Sequence, residues 1–198
     1  MRKLVFIQGT PAPLTEYFEY HPYSISSTST PWSQSVSIPR FNSELGELIR
    51  VEIPLNVSWQ GRLWFENTSG VGTRTLTADL ASLTTIQVAG VDAVSGTTTS
   101  NFAPPTLSAF DGTLNYDGSS GYQFATRFGS TAPSITLESG DPGFSEFIGT
   151  GDADVVVSSS HSVTVNPVAG VSDPETLSIL VLSKTAAGGY IVYTYLAP

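Results

Sequence analysis

The sequence contains no cysteine, which excludes disulfide bonds, thiolate nucleophiles and cysteine metal ligands. It is also poor in charge, because charged residues make up 13% of its 198 residues. The 8 basic residues are outnumbered by 17 acidic ones, which gives a formal net charge of -9. Nucleic-acid binding depends on clustered lysine and arginine that neutralise phosphates, and the few basic residues here form no cluster. We therefore expect no nucleic-acid partner.

Long hydrophobic runs are missing as well. No run approaches the roughly 18 apolar residues of a membrane-spanning helix, so we expect no membrane span. The first residues, MRKLVFIQGTPAP, contain an apolar run only at positions 4–7. A secretory signal needs a core of about 7–15 apolar residues, so this stretch does not predict a complete signal peptide and the export route is not evident from it.

Motifs of known catalytic chemistry are also missing. The sequence has no G-x-S-x-G nucleophile motif, no H-E-x-x-H zinc motif and no phosphate-binding G-x-x-x-x-G-K motif. It has two histidines, His21 and His161. Ser160 precedes His161, but a histidine flanked by serines at a strand edge is typically a solvated residue rather than part of a catalytic triad. We predict that the protein is not an enzyme.

Alternating hydrophobicity is what the sequence does contain. Between residues 51 and 59 every second residue is apolar, and the residues between them are mostly polar: Val51, Ile53, Leu55, Val57 and Trp59. This period of two predicts a strand with one face on a core and the other toward water. Gln60 and Gly61 are expected to interrupt the strand before Leu63 and Phe65 resume it.

Similar short segments follow at regular spacing, each bounded by glycine, proline, asparagine or aspartate. About ten such segments, in a chain rich in threonine, serine and glycine, predict an all-β fold. We expect an antiparallel, jelly-roll-like β-sandwich. We place it in one domain at residues 32–198, preceded by an extended N-terminal arm at residues 1–31.

The arm is unusually apolar and aromatic. Because Pro11 and Pro13 interrupt ladder pairing, we predict one or two short strands within it. We expect its apolar side chains to be covered. Either the arm packs along the edge of its own domain, or it adds a strand to a neighbouring subunit. The residues predicted to take part in self-association are Leu4, Val5, Phe6, Ile7, Tyr17, Phe18 and Tyr20.

Aromatic residues outside the core pattern suggest a second kind of site. Trp64 has the opposite parity to Leu63 and Phe65, so its side chain should point away from the core. Either the arm or another subunit covers it, or it forms a sugar-stacking platform with Tyr116 and Tyr122.

Calcium is the metal that the sequence could accommodate, because calcium prefers oxygen ligands gathered in loops. One candidate set is Asp111, Asn115 and Asp117, although their spacing does not fit an EF-hand. The alternative is that these residues form hairpin turns, since Asp-Gly is a common turn pair. A second candidate set contains Asp141, Asp152 and Asp154.

Five segments together resemble the choice-of-anchor E domain of secreted bacterial proteins. They are residues 37–42 (SIPRFN), 65–69 (FENTS), 110–113 (FDGT), 147–151 (FIGTG) and 190–195 (YIVYTY). The similarity extends over residues 32–195. It implies an all-β extracellular domain with no catalytic residue.

These observations lead to two hypotheses of function. The first is a non-enzymatic extracellular structural or adhesive subunit at a bacterial surface or matrix, which forms a homo-oligomer or filament by strand addition through its arm. The second is a carbohydrate-binding module that uses exposed aromatic residues. Because residues 196–198 carry no anchoring pattern, we expect a released or assembled form rather than direct anchoring.

Overall fold

The computed structural model describes residues 15–167 and 176–198. In these residues the chain forms ten strands and two single 3-10 turns. The strands are β1 (Glu16–Ser29), β2 (Trp32–Pro39), β3 (Glu47–Asn67), β4 (Leu76–Val88), β5 (Val94–Phe102), β6 (Gly121–Gln123), β7 (Arg127–Thr131), β8 (Ser134–Glu138), β9 (Asp152–Pro167) and β10 (Leu177–Leu196). The predicted all-β class and number of strands are confirmed. Within the described ranges, no helix is long and apolar enough to cross a membrane.

Two antiparallel sheets pack face to face. The front sheet has the order β1-β10-β3, with β6, β7 and β8 pairing one after another along the other side of β3. The back sheet has the order β2-β9-β4-β5. If β6, β7 and β8 are counted as one interrupted strand, the chain forms four successive antiparallel pairs: β1 with β10, β2 with β9, β3 with β6–β8, and β4 with β5. The first and third pairs lie in the front sheet, and the second and fourth lie in the back sheet. This is the strand order of a jelly roll, as predicted.

The pairing of β3 with β10 forms the centre of the front sheet. It runs from Asn67 opposite Leu177 to Glu47 opposite Leu196. The alternating apolar residues of β3 all face the back sheet and are buried, as predicted: Val51, Ile53, Leu55, Val57 and Trp59. The expected interruption at Gly61 was wrong, because β3 continues through it. A Cβ at Gly61 would overlap the Trp59 ring, so glycine makes room for the indole there.

Hydroxyl groups divide the core into two apolar clusters. The larger cluster includes Tyr193 and the smaller one includes Trp59. Between them Thr185 of the front sheet donates a hydrogen bond to Ser159 of the back sheet, with 2.8 Å between the two hydroxyl oxygens. The Trp59 indole N–H donates to the Ser183 hydroxyl at 3.0 Å. Buried polar groups need such partners, and the bond from Thr185 to Ser159 also constrains how the two sheets align.

The described part of the predicted arm is an integral edge strand. β1 has 14 residues and pairs with β10 from Glu16 opposite Leu196 to Ser29 opposite Lys184. The prediction of only short strands in residues 16–29 was therefore wrong. Pro22 is tolerated because an edge strand needs hydrogen bonds on one side only. Residues 1–14 lie outside the described residues, and the domain boundary at residue 31 stays a prediction.

Two buried tyrosines should make the fold sensitive to alkaline pH. Burial raises the pKa of Tyr23 from 10.0 to about 12, and its hydroxyl donates to the Pro54 carbonyl oxygen at 3.1 Å. Burial, together with the Glu19 carboxylate, also raises the pKa of Tyr193, whereas Arg40 lowers it. A pKa that is higher in the folded state gives a stabilisation that is complete below the unfolded pKa and is lost above it.

We therefore expect the free energy of unfolding to fall as the pH rises from 10 to 12. The Tyr23→Phe variant should show a shallower fall, measured by urea denaturation across this pH range. Tyr20→Phe, at an exposed position, is the matched control and should keep the wild-type slope. Equal slopes in all three proteins would contradict the prediction.

Candidate functional site

The predicted self-association residues that can be located lie on β1. Tyr17, Phe18 and Tyr20 are 45%, 52% and 60% exposed. Within the described residues β1 pairs only with β10, so its other edge has no strand beside it. The remaining predicted residues, at positions 4–7, lie outside the described residues. We call Tyr17, Phe18 and Tyr20 the aromatic edge.

The aromatic edge presents rings on both faces of the front sheet. Phe18 and Tyr20 lie on the outer face, which is the face turned away from the back sheet, and the Tyr20 ring centroid is 6.0 Å from that of Tyr190. Tyr17 lies on the other face and stacks on Tyr195, with centroids 5.7 Å apart and planes inclined by 27°. A strand or loop from another molecule could therefore contact aromatic surface on either side of β1.

Protection against edge-to-edge pairing begins at Pro22 of β1. Proteins commonly block exposed edges with proline, bulges and charges. β1 has Pro22 and a bulge between Ile25 and Thr28. The six residues before Pro22 have only the charges of Glu16 and Glu19, beside the aromatic residues. These six residues are therefore the part of the edge that remains suited to pairing.

A groove lies on the outer face, beside the aromatic edge. It has a volume of about 380 Å³ and extends from β1 across β10 and β3 to β8. The groove has Phe18 and Tyr20 on the β1 side and Thr136 on the β8 side. It is lined by Phe18, Tyr20, Glu52, Ile53, Pro54, Ser134, Ile135, Thr136, Tyr190 and Val192. We call it the outer groove.

The predicted sugar platform is only partly assembled. Trp64 lies on the outer face and is half-buried, in agreement with its parity. The Tyr116 ring lies 6.0 Å from it, and the Arg62 guanidinium carbon lies 4.6 Å above it. Tyr122 is on the opposite face, because it pairs with Phe65 while Gln123 pairs with Trp64. A shift of one residue in register moves a side chain to the other face, and the sequence does not show this register.

Glu66 is a structurally important residue that the sequence analysis missed. Its side chain is completely buried on the outer face. One carboxylate oxygen accepts a hydrogen bond from the Ser120 hydroxyl at 2.5 Å, and the other accepts one from the Tyr116 backbone N–H at 2.6 Å. Glu66 therefore holds the loop at residues 103–120 against β3, where that loop covers Trp64. Its position at the end of a strand gave no signal of this role.

The first predicted calcium set adopts turn geometry. The Oδ1 atoms of Asp111 and Asn115 accept from the backbone N–H groups of Thr113 and Asp117, each at 2.9 Å. Asp117 Oδ1 accepts from the Gly118 N–H at 2.8 Å. These contacts are side-chain-capped turns within the loop that precedes β6, so the residues have turn roles although they form no hairpin. Among the described residues, no group of three or more histidine or acidic side chains is placed to hold a metal ion.

The second predicted calcium set makes separate local contacts. Asp141 Oδ2 accepts from the Glu138 backbone N–H at 2.8 Å. Asp154 Oδ1 accepts from the Ser37 hydroxyl at 2.7 Å, and Asp152 begins β9 opposite Pro39. The Asp141 and Asp154 carboxylates thus each have a structural contact in their own turn or strand pair.

The two histidines also make structural contacts. His161 Nδ1 lies 2.7 Å from the Thr30 hydroxyl, which follows the end of β1. Ser160, its neighbour on β9, points to the other face of the strand. His21 Nε2 lies 3.1 Å from Glu19 Oε1. The first contact connects the end of β1 to the back sheet, and the second lies within β1.

No protein-family model and no curated protein matches the chain. Among solved structures, the chain is similar to the VP2 subviral particle of infectious bursal disease virus, with 10% identity and a TM-score of 0.19. The match covers all of this chain and 42% of the viral chain. A structure of the Gx strain of the same virus matches with 16% identity and a TM-score of 0.15, over 91% of this chain and 42% of the viral chain. This chain therefore spans less than half of those chains. Similarities this weak do not contribute to the argument on function.

The role of Glu66 can be tested by Glu66→Gln. The new amide can still accept from the Tyr116 N–H and donate to the Ser120 hydroxyl, but both buried hydrogen bonds lose the carboxylate charge that strengthens them. We expect the free energy of unfolding to fall by about 1–3 kcal/mol, measured by urea denaturation. The control is Glu138→Gln, an exposed residue that accepts from Arg50 at 3.0 Å, with an expected loss below about 1 kcal/mol. Equal losses would contradict the proposed anchoring of the loop.

Proposed function

We propose that this chain is a non-enzymatic extracellular subunit, structural or adhesive, of a bacterial surface or matrix assembly. It self-associates through β1 and the N-terminal arm. The observation that supports this is the aromatic edge, which combines exposed rings with six residues before Pro22 that have no blocking proline or bulge. The bacterial extracellular setting rests on the resemblance to the choice-of-anchor E domain, which stays a prediction.

Strand addition is the mode of association that best suits this edge. A strand added to β1 would satisfy its free backbone groups and cover Tyr17, Phe18 and Tyr20 at the same time. Two copies that pair their β1 strands antiparallel would form an isologous contact and continue the front sheet. A head-to-tail contact at the same edge would instead produce a filament.

The arm contributes charge as well as apolar surface. Glu16 and Glu19 of two copies would repel each other at a shared edge. Arg2 and Lys3 are the basic residues closest to them in sequence, and they lower the net negative charge of the contact region. This charge balance supports a role for residues 1–14 in the contact.

A second candidate is a carbohydrate-binding module on the outer face. It is favoured by the ring pair of Trp64 and Tyr116 beside the Arg62 guanidinium. Aromatic rings supply an apolar surface for a sugar ring, and the guanidinium supplies hydrogen-bond donors. Tyr122 lies on the opposite face and is not part of this candidate site.

Light scattering tests the proposed self-association. We expect the Phe18→Ser/Tyr20→Ser double variant, and a chain lacking residues 1–14, to lose at least about tenfold in association constant, because each removes apolar contact area. Phe128→Ser is the matched control: Phe128 is 75% exposed on β7, at the opposite side of the sheet, and its loss should leave the particle size unchanged. The same mass for all four proteins would refute association through β1.

Glycan-array binding tests the second candidate. Trp64→Ala should abolish binding if the ring pair stacks on a sugar. Tyr122→Ala is the control and should bind like the wild type. Binding that is lost with Tyr122→Ala and kept with Trp64→Ala would contradict a site on the outer face.

A further inference from the structure

The outer groove is not explained by strand addition alone. The groove lies on the β10 side of Phe18 and Tyr20. A strand added to the free edge of β1 would lie on their other side, so it would not fill the groove. Its lining is aromatic on the β1 side and carries hydroxyl groups on the β8 side. Glu52 supplies the carboxylate in this lining and, among the described residues, forms no ion pair.

We propose that residues 2–7 (RKLVFI) of a second copy occupy the outer groove. This inference rests on the proposed self-association and names the segment that each copy receives from the other. The apolar side chains of residues 4–7 pack between the aromatic edge and Thr136. Arg2 and Lys3 then lie near Glu52.

The dimensions of the groove match those of the segment. From β1 to β8 the groove crosses three strand spacings of about 4.8 Å each, which is about 14 Å. Four residues in extended conformation span about 13 Å. The apolar residues 4–7 are thus long enough to cross the groove once.

Charge complementarity fixes the direction of the segment. If the arm enters from the β1 side, Ile7 lies beside Phe18 and Leu4 lies beside Thr136. Thr136 pairs directly with Glu52. Lys3 then lies one residue beyond Leu4, and its long side chain reaches back to the Glu52 carboxylate in a protein of net charge -9.

The chain between the segment and β1 is long enough to reach a neighbour. Residues 8–15 span up to about 27 Å when extended. Because the aromatic edge also borders the groove, a neighbour paired at β1 brings its arm to the required place.

Cross-linking tests the inference directly, since the natural chain contains no cysteine. Copies with Leu4→Cys are mixed with copies with Thr136→Cys and oxidised, and covalent dimers are counted on a non-reducing gel. Thr136 is exposed, so its substitution should leave the fold intact. The control partner carries Ser35→Cys, an exposed position on β2 of the back sheet. We expect dimers to form at least about tenfold faster with Thr136→Cys than with Ser35→Cys.

Three results would overturn the inference, and light scattering on the same mixtures distinguishes them. Equal rates within an intact oligomer would refute the groove as the receiving site while leaving the proposed self-association in place. Rapid closure within single chains of a Leu4→Cys/Thr136→Cys variant, without dimers in the mixture, would show that each arm fills its own groove. Monomers throughout would refute both the inference and the proposed function.

A charge exchange provides an independent test. Arg2→Glu/Lys3→Glu in the donating copy should slow cross-linking by up to about fivefold, as expected for an exposed ion pair. Glu52→Lys in the receiving copy should restore the rate. A rate that responds to neither change would overturn the placement of Arg2 and Lys3 beside Glu52.

Discussion

The antiparallel pairing of β3 with β10 is the interaction on which the rest of this structure depends. The two strands are the longest of the described fold, with 21 and 20 residues, and they occupy the centre of the front sheet. β1 pairs with the free side of β10, and β6, β7 and β8 pair with the free side of β3. The register keeps Val51 and Ile53 against the back sheet. A slip of one residue would turn these apolar side chains to water, so packing and register enforce each other.

Hydroxyl groups give the core a second constraint. An entirely apolar interface between two sheets tolerates small displacements, whereas a hydrogen bond has a defined length and direction. The bond from Thr185 to Ser159 connects the sheets, and that from Trp59 to Ser183 fixes the indole of the smaller cluster against β10. The jelly roll is thus aligned by polar contacts in its middle and filled by apolar residues on either side of them.

The two sides of the front sheet differ in a way that bears on association. On one side the edge is divided into strands of 3, 5 and 5 residues, and short edges are poor templates for pairing. On the other side, β1 offers one strand of 14 residues with exposed rings at its beginning. The outer groove begins at those same rings. A single region therefore combines a free edge, an apolar surface and a carboxylate, Glu52, opposite in charge to the start of the arm.

Features that depend on local pattern could be predicted from the sequence. The alternation at residues 51–59 placed Trp59 in the core, and the parity of Trp64 placed it outside. Features that depend on pairing between distant residues were decided only by the tertiary structure. The face of Tyr122 follows from its register against β3, and the role of Glu66 follows from a loop about 50 residues later in the chain. The length of β1 was likewise decided by β10, because a partner strand stabilises residues that local propensity alone would leave irregular.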